Sequence, residues 1–179
     1  LLMGAMRKAD KTYRTYDEMV AEKIPTKYTG KWTAPATHCD ENGQGNPFSC
    51  YMYGVFMCEA AVEVATGKVE VEKMTLVADI GTICNKLVVD GQMYGGLAQG
   101  IGLALTEDFE DIKKHSTMVG AGFPYASMIP DDMELIYVET PREHGPHGAS
   151  GVGELPLTCP HAAVINAIYN ACGVRITKL

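Results

Sequence analysis

Residues 90–109, DGQMYGGLAQGIGLALTEDF, combine a helical apolar stripe with a high density of glycine. At about 100° per residue, the apolar side of such a helix spans about 120°. That side carries Met93, Leu97, Ile101, Ala104 and Leu105, and the opposite side carries Gln92, Gly95, Gly96, Gln99 and Gly102. Each interior glycine costs about 1 kcal/mol relative to alanine, so Gly95, Gly96, Gly100 and Gly102 give up about 4 kcal/mol of helix preference. We therefore expect something to approach the glycine face closely.

The composition is that of a globular protein with an acidic balance. Of 179 residues, 46% are hydrophobic and 21% are charged, which excludes a disordered, collagen-like or coiled-coil chain. Fifteen Lys plus Arg face twenty-two Asp plus Glu, giving a net charge of −7 without a basic run. Phosphate-backbone binding therefore has little electrostatic support, and no nucleic-acid partner is expected.

The amino-terminal sequence, LLMGAMRKADKTYR, does not fit a secretory signal, because its apolar run is short and the basic residues follow it. No stretch approaches the roughly 20 uninterrupted apolar residues that span a bilayer. We expect a cytoplasmic protein with no membrane partner. Because Leu1 leads straight into amphipathic sequence, we also expect residues 1–179 to be a fragment or a split chain.

Residues 49–81 predict a long antiparallel hairpin. Residues 49–65 are rich in aromatic and β-branched types, Thr66-Gly67 predicts a tight turn, and the following residues alternate with period two. Further strands are expected over 133–141 and 174–179. Together with separate helices, these elements predict an α+β fold of antiparallel strands with packed helices.

Two further helices are expected at the two ends of the chain. Residues 11–24 predict a short helix capped by Thr15 or Asp17. The segment LPLTCPHAAVINAIYNACGV predicts another, with Thr158 as its cap and Gly173 as its stop.

The cysteines and histidines give no strong metal-binding pattern. The six cysteines form no C-x-x-C pair, so we expect reduced thiols that act as small apolar residues. His144, His147 and His161 flank one glycine-rich run, where ordinary surface histidines are the simpler interpretation and a metal trio the alternative. We assign no metal ligand.

Residues 148–154, GASGVGE, form the sharpest local feature. A run of small residues leaves backbone N–H groups accessible and lets a ligand approach closely. Apolar residues follow Glu154 directly, and apolar surroundings disfavour ionisation of a carboxyl group and suit it to general-base catalysis. An ordinary turn with a solvent-facing glutamate remains the alternative. The pattern lacks the lysine of a nucleotide-triphosphate loop and the spacing of a nucleophile elbow.

These segments together resemble a known family. GQMYGGLAQGIGLAL, preceded by ADIGTICN and followed by GASGVGELPLTCPHAAVINAIYNACGVRI, is similar to the C-terminal part of the molybdenum-binding region of the xanthine oxidase family of molybdenum hydroxylases. Within the family the likeness is greatest to the aldehyde oxidoreductases of sulfate-reducing bacteria. The resemblance implies that residues 1–179 are the C-terminal portion of a molybdopterin-binding domain.

The resemblance also implies roles for particular residues. Glu154 matches the family glutamate that lies beside molybdenum without ligating it, and is the implied catalytic base. Gln99 matches a glutamine at the cofactor. The other implied cofactor-binding residues are Gly96, Gly100, Gln92, Asn85, Ser150, Gly151, Val152 and Gly153. The family commonly has Asn-Pro where Asn85 is followed by Lys86, so the sequence departs from the pattern at that turn.

The implied reaction is the oxidation of an aldehyde to a carboxylic acid with water as the oxygen source. The implied cofactor is molybdopterin cytosine dinucleotide with molybdenum, and electrons leave to [2Fe-2S] clusters. The six cysteines do not reproduce the family's cluster spacing, so the clusters belong to the remaining part of the enzyme, which is itself an implied homodimer. The alternative is a non-catalytic fragment or interaction module that only completes the cofactor cradle of a partner chain.

Overall fold

This computed structural model describes residues 5–7, 13–31, 33, 35–36, 38–111 and 113–178. The chain divides into two compact units, Leu1–Ala34 and Pro35–Leu179. Neither the family resemblance nor the sequence pattern predicts this division. The expectation of a single domain portion over residues 1–179 stays a prediction.

The first unit contains a small antiparallel ribbon and one helix. Strand β1 (Ala5–Arg7) pairs with β2 (Tyr13–Thr15), and helix α1 (Tyr16–Ala21) follows directly. Thr15 caps α1, as expected, through a capping box with Glu18, in which the two distances are 3.3 and 2.8 Å. The helix expected over 11–24 is shorter, because the residues before Thr15 pair as a strand; residues 11 and 12 lie outside the described residues.

The second unit begins with the expected hairpin. Strands β3 (Tyr53–Glu63) and β4 (Lys68–Asp79) are antiparallel, with a bulge at Glu59/Ala60. Gly67 has φ +76°, a left-handed conformation that glycine adopts without strain, so it lets the chain reverse.

Helix α2 (Lys86–Leu105) follows the hairpin and begins four residues earlier than residue 90. Its start is set by Asn85, whose Oδ1 accepts a hydrogen bond from the Val88 N–H at 3.2 Å. Strand β5 (Asp132–Val138) then pairs in parallel with β4, so the sheet order is β3-β4-β5. The parallel pairing is possible because α2 and the loop after it carry the chain back across the sheet.

The C-terminal segment forms two helices, α3 (Leu155–Thr158) and α4 (Pro160–Cys172). The expected cap is wrong, because the Thr158 hydroxyl donates to the Leu155 carbonyl at 2.8 Å instead of capping α4. The expected stop is confirmed, since Gly173 has φ +74° and its N–H donates to Tyr169 at 2.8 Å. The prediction of a strand over 174–179 is wrong for residues 174–178, because these residues have no regular secondary structure.

The helices cover one face of the sheet and form the core there. Met93, Leu97 and Ile101 of α2 are at most 1% exposed, which confirms the predicted apolar stripe. They pack with Met74, Leu76 and Ala78 of β4 and with Val164 and Ile168 of α4. The α+β class is confirmed. Within the described part of the chain, no helix combines the length and apolar character needed to cross a membrane.

The six cysteines are free thiols in two environments. Cys39, Cys84 and Cys159 are exposed, so they do not act as small core residues. Cys58 is half-buried, and burial, with Glu59 nearby, raises its thiol pKa to about 11. Cys58 is therefore a neutral thiol at physiological pH.

Prolines lie against three of the glycines of α2. A Cβ added at Gly96 would lie 2.5 Å from Pro156, one at Gly100 would lie 2.0 Å from Pro160, and one at Gly102 would lie 2.5 Å from Pro124. These three glycines are buried in the chain itself. The expectation of a close approach is thus confirmed, but the approaching groups are the chain's own prolines.

We predict that Gly100→Ala lowers the free energy of unfolding by about 1 to 3 kcal/mol, because the added methyl group overpacks the contact with Pro160. Gly91→Ala is the matched control on the same helix, where an added Cβ meets nothing within 4 Å. It is expected to raise the free energy of unfolding by up to about 1 kcal/mol. Urea denaturation measures both changes, and a neutral Gly100→Ala would contradict the proposed tight contact.

Candidate cofactor-binding site

The two glycine-rich motifs meet at one hydrogen bond. The Gln92 Nε2 on α2 donates to the Gly153 carbonyl at 2.7 Å, although 61 residues separate the two in sequence. Gln92, Gly153 and Glu154 are all exposed. A glutamine, a glycine and a carboxylate that were predicted separately are therefore neighbours on one surface.

Glu154 lies at the junction between the glycine-rich loop and α3. Glu154 is the N-cap residue of α3, but its side chain makes no capping hydrogen bond. The following residues, Leu155 and Pro156, are buried, whereas Glu154 is exposed. The prediction that Glu154 has apolar surroundings is thus wrong for this chain. Its apolar neighbours in sequence pack into the core, and the carboxylate faces solvent.

The end of strand β4 holds the start of the glycine-rich loop. Gly81 and Ala149 form an antiparallel bridge. Ser150 donates twice to the Ile80 carbonyl, through its N–H at 3.1 Å and its hydroxyl at 2.6 Å. Both donors of Ser150 are therefore used within the chain and hold the loop against the end of β4.

The rest of the loop is open. Nothing lies within 4 Å of a Cβ built on Gly151 or Gly153, and both residues are exposed. Val152 between them is half-buried and packs against the core, so it anchors the loop. Alternation of one half-buried side chain with two bare glycines gives an exposed backbone that a flat ligand can approach.

Arg142 and Asp79 brace this loop from the side. Arg142 Nη2 donates to Oδ1 and to the carbonyl of Asp79, both at 2.9 Å, and the Arg142 N–H donates to Gly148 at 2.9 Å. Asp79 Oδ1 also accepts the N–H groups of Gly81 and Thr140 at 3.1 and 3.2 Å. Partial burial raises the pKa of the Asp79 carboxyl, but the hydrogen bonds and Arg142 outweigh it and hold the pKa below its usual value of 3.8.

Gln99 borders a groove on the exposed side of α2. The groove has a volume of about 810 Å³ and is lined by Gly95, Gln99, Tyr94, Met118, Phe123 and Met133, among others. Gln92 and Gln99 are seven residues apart, so they lie about two turns apart along one side of the helix. A ligand that follows α2 can therefore contact both amides.

Three of the predicted cofactor residues have structural roles. Gly96 and Gly100 are buried against Pro156 and Pro160, and contact of a cofactor with them stays a prediction. Asn85 is exposed, but its side-chain oxygen is used as the N-cap of α2. Asn85 also lines a small cavity of about 200 Å³ together with Ser150, and this cavity connects the cap to the loop.

The histidines do not form a metal site in the described part of the chain, where no group of three His, Cys, Asp or Glu side chains is arranged to hold an ion. His144 and His147 are exposed and His161 is half-buried.

The sequence analysis did not identify Arg142 and Asp79 as residues of the site. They are 63 residues apart, and neither belongs to a recognisable motif.

Comparison with known proteins finds matches over most of the chain. Residues 3–130 match a family model described as a molybdopterin cofactor-binding domain. An aldehyde oxidoreductase from Megalodesulfovibrio gigas is 63% identical over 180 residues, which cover 99% of this chain and 20% of that protein. The chain thus spans about a fifth of the length of this relative.

Solved structures agree with this match. The crystal structure of the aldehyde oxidoreductase from Desulfovibrio desulfuricans ATCC 27774 is 69% identical, with a TM-score of 0.85 over 100% of this chain and 20% of that one. The structure of quinoline 2-oxidoreductase from Pseudomonas putida 86 is 31% identical, with a TM-score of 0.59 over 65% of this chain and 16% of that one.

The Gln92 hydrogen bond predicts a local effect of substitution. Gln92→Ala removes the donor to Gly153, so amide hydrogen exchange over residues 151–154 should become faster while the core of α2 stays protected. Gln99→Ala, an exposed glutamine two turns along α2, is the matched control and should leave exchange in the loop unchanged. Equal exchange rates in both variants would show that Gln92 does not restrain the loop.

The lowered pKa of the Asp79 carboxyl predicts that the stability of the chain depends on pH. Its pKa is lower in the folded chain than its usual value of 3.8, so its stabilising contribution is complete above that value and is lost as pH falls through the folded pKa. In Asp79→Asn this part of the pH dependence should be absent. Unfolding followed from pH 6 down to about pH 2 measures the difference. A variant as acid-sensitive as the unsubstituted chain would assign the effect to other carboxylates.

Proposed function

This chain belongs to the molybdopterin cofactor-binding domain family, and we propose that it forms part of a molybdenum hydroxylase that oxidises aldehydes to carboxylic acids. The predicted resemblance to the xanthine oxidase family is confirmed by the family match and by the identity over the whole chain. The observation that carries the proposal is the Gln92–Gly153 hydrogen bond, which joins the two motifs next to an exposed carboxylate.

The exposed groups of the site fit a flat, polar cofactor. Gly151 and Gly153 present bare backbone, and Gly95, on the exposed side of α2, also has free space around its Cβ position. The Gln92 and Gln99 amides supply donors and acceptors beside these surfaces. We propose that these residues contact molybdopterin cytosine dinucleotide. Gly96 and Gly100 contribute indirectly, since they let α3 and α4 approach α2.

When bound, the molybdenum cofactor supplies the two-electron oxidation that no amino-acid side chain can perform. Among the described residues the histidines, cysteines and acidic groups form no cluster for the metal, so this chain holds the cofactor through backbone and amides. The overall conversion consumes an aldehyde and water and yields a carboxylic acid, two protons and two electrons. The [2Fe-2S] clusters that take the electrons belong, in this proposal, to the remaining part of a homodimeric enzyme.

Glu154 is the proposed base in that conversion. Its carboxylate is exposed beside the open glycines and makes no hydrogen bond with the N-terminus of α3, so it is available to accept a proton from water. The brace formed by Asp79 and Arg142 fixes the start of the loop, and the Gln92 hydrogen bond fixes the residue just before Glu154. Orientation of Glu154 thus depends on contacts of the backbone around it.

We predict that Glu154→Gln retains molybdenum but lowers turnover by at least about 10²-fold, because the amide keeps the shape and removes the basicity. The measurements are metal content and aldehyde-dependent dye reduction in the full-length polypeptide that contains this chain. Glu143→Gln is the matched control, since Glu143 is an exposed glutamate just before the same glycine-rich run.

Two results would contradict the proposal. Near-normal turnover of Glu154→Gln with full molybdenum occupancy would remove Glu154 from the mechanism. Absence of molybdenum from the unsubstituted full-length protein would instead favour the non-catalytic interaction module.

A further inference from the structure

The face of the sheet opposite the helices exposes a group of large apolar side chains. Tyr53, Val55 and Met57 of β3 are 62%, 59% and 49% exposed, and Ile136 and Val138 of β5 are 43% and 48% exposed. Single exposed apolar residues are common on protein surfaces, but a contiguous group indicates an interaction site.

The strand register makes this group contiguous. Val55 pairs with Val77, and Val77 pairs with Ile136, so one apolar row crosses all three strands. Tyr53 and Val138 occupy the next row on either side of Asp79. Paired residues share a face, with Cβ atoms about 5 Å apart. We call Tyr53, Val55, Met57, Val77, Ile136 and Val138 the outer-face patch.

Charged groups border the outer-face patch on both sides. On one side Lys73 lies 3.6 Å from Asp132 and 3.2 Å from Glu134, and it pairs in register with Glu59. On the other side the Arg142 guanidinium lies over the Tyr53 ring at 5.6 Å. An apolar centre with a polar rim is the usual anatomy of a protein interface.

We propose that the outer-face patch is the surface on which the remainder of the enzyme polypeptide packs, through an apolar segment flanked by basic side chains. This inference rests on the proposed function. The relative from Megalodesulfovibrio gigas is about five times as long as this chain, since the match covers 20% of it, so most of such a polypeptide is available to cover the patch.

The charges favour packing of the remaining polypeptide on the outer-face patch over packing of a second copy of the chain. The row next to the patch carries Glu59 and Asp132 against a single Lys73, and Glu134 lies in the row of Met57, so this rim is acidic. Each copy carries a net charge of −7, so like-charge repulsion opposes a contact between two copies. A partner with basic flanks gains from the same charges.

Hydroxyl-radical footprinting tests the proposal without any variant. One sample is the chain alone, and the other is a full-length polypeptide in which this chain replaces the aligned segment of the Megalodesulfovibrio gigas aldehyde oxidoreductase. We expect Tyr53 and Met57 to be modified at least about fivefold more slowly in the full-length polypeptide, because interface cores exclude water. Equal rates in the two samples would overturn the proposal.

Two other outcomes would also overturn it. Protection of Met57 that rises with the concentration of the isolated chain assigns the patch to a second copy. Protection already complete in a dilute, monomeric isolated chain assigns it to another part of the same 179 residues.

A charge substitution supplies a second measurement. Val55→Asp in the full-length polypeptide should lower the unfolding temperature and restore modification of Met57. Val64→Asp is the matched control, because Val64 is 76% exposed in the hairpin loop and lies outside the patch. Molybdenum content and turnover are recorded on the same samples. Protection of Met57 in a molybdenum-free protein refutes the proposed function alone, whereas normal turnover without protection refutes the outer-face patch alone.

Discussion

The contact between the glycines of α2 and three prolines is the constraint on which the candidate site depends. With Gly96 against Pro156 and Gly100 against Pro160, the backbones of α2, α3 and α4 approach more closely than any side chain would allow. Glu154 stands two residues before Pro156, so this packing fixes the position of the Glu154 backbone relative to α2. The helix preference lost at these glycines is thus offset by the close packing of the helices that carry the site.

Three anchors give the glycine-rich loop its shape while leaving its backbone open. Ser150 is bound to the end of β4, Val152 is packed on the core and the Gly153 carbonyl accepts a hydrogen bond from Gln92. Gly151 and Gly153 nevertheless have no neighbours at their Cβ positions. If a ligand binds here as proposed, the loop loses little conformational freedom, since the ordering is already provided by the fold.

Local signals were sufficient for much of the fold. Period-two alternation and the Thr66-Gly67 turn predicted the hairpin, the 3.6-residue stripe predicted the buried side of α2, and Gly173 predicted the end of α4. The sequence also identified the motifs around Glu154 and Gln92 as candidate site residues. Predictions failed where a competing local interaction decided the boundary, as at Asn85, which starts α2 early, and at Thr158, whose hydroxyl binds the Leu155 carbonyl.

The sequence by itself determined which residues are small, which are apolar and that the glycine face must be approached closely. It did not determine what approaches that face, because both a cofactor and a proline ring satisfy the same pattern. Only the tertiary structure decided that Gly96 and Gly100 meet prolines while Gly151 and Gly153 stay open. It also joined Arg142 to Asp79 across 63 positions, and set Val55, Val77 and Ile136 in one row. The physical reason is that such contacts depend on strand register and chain crossover, which arise from the packing of the whole core and not from any local run of residues.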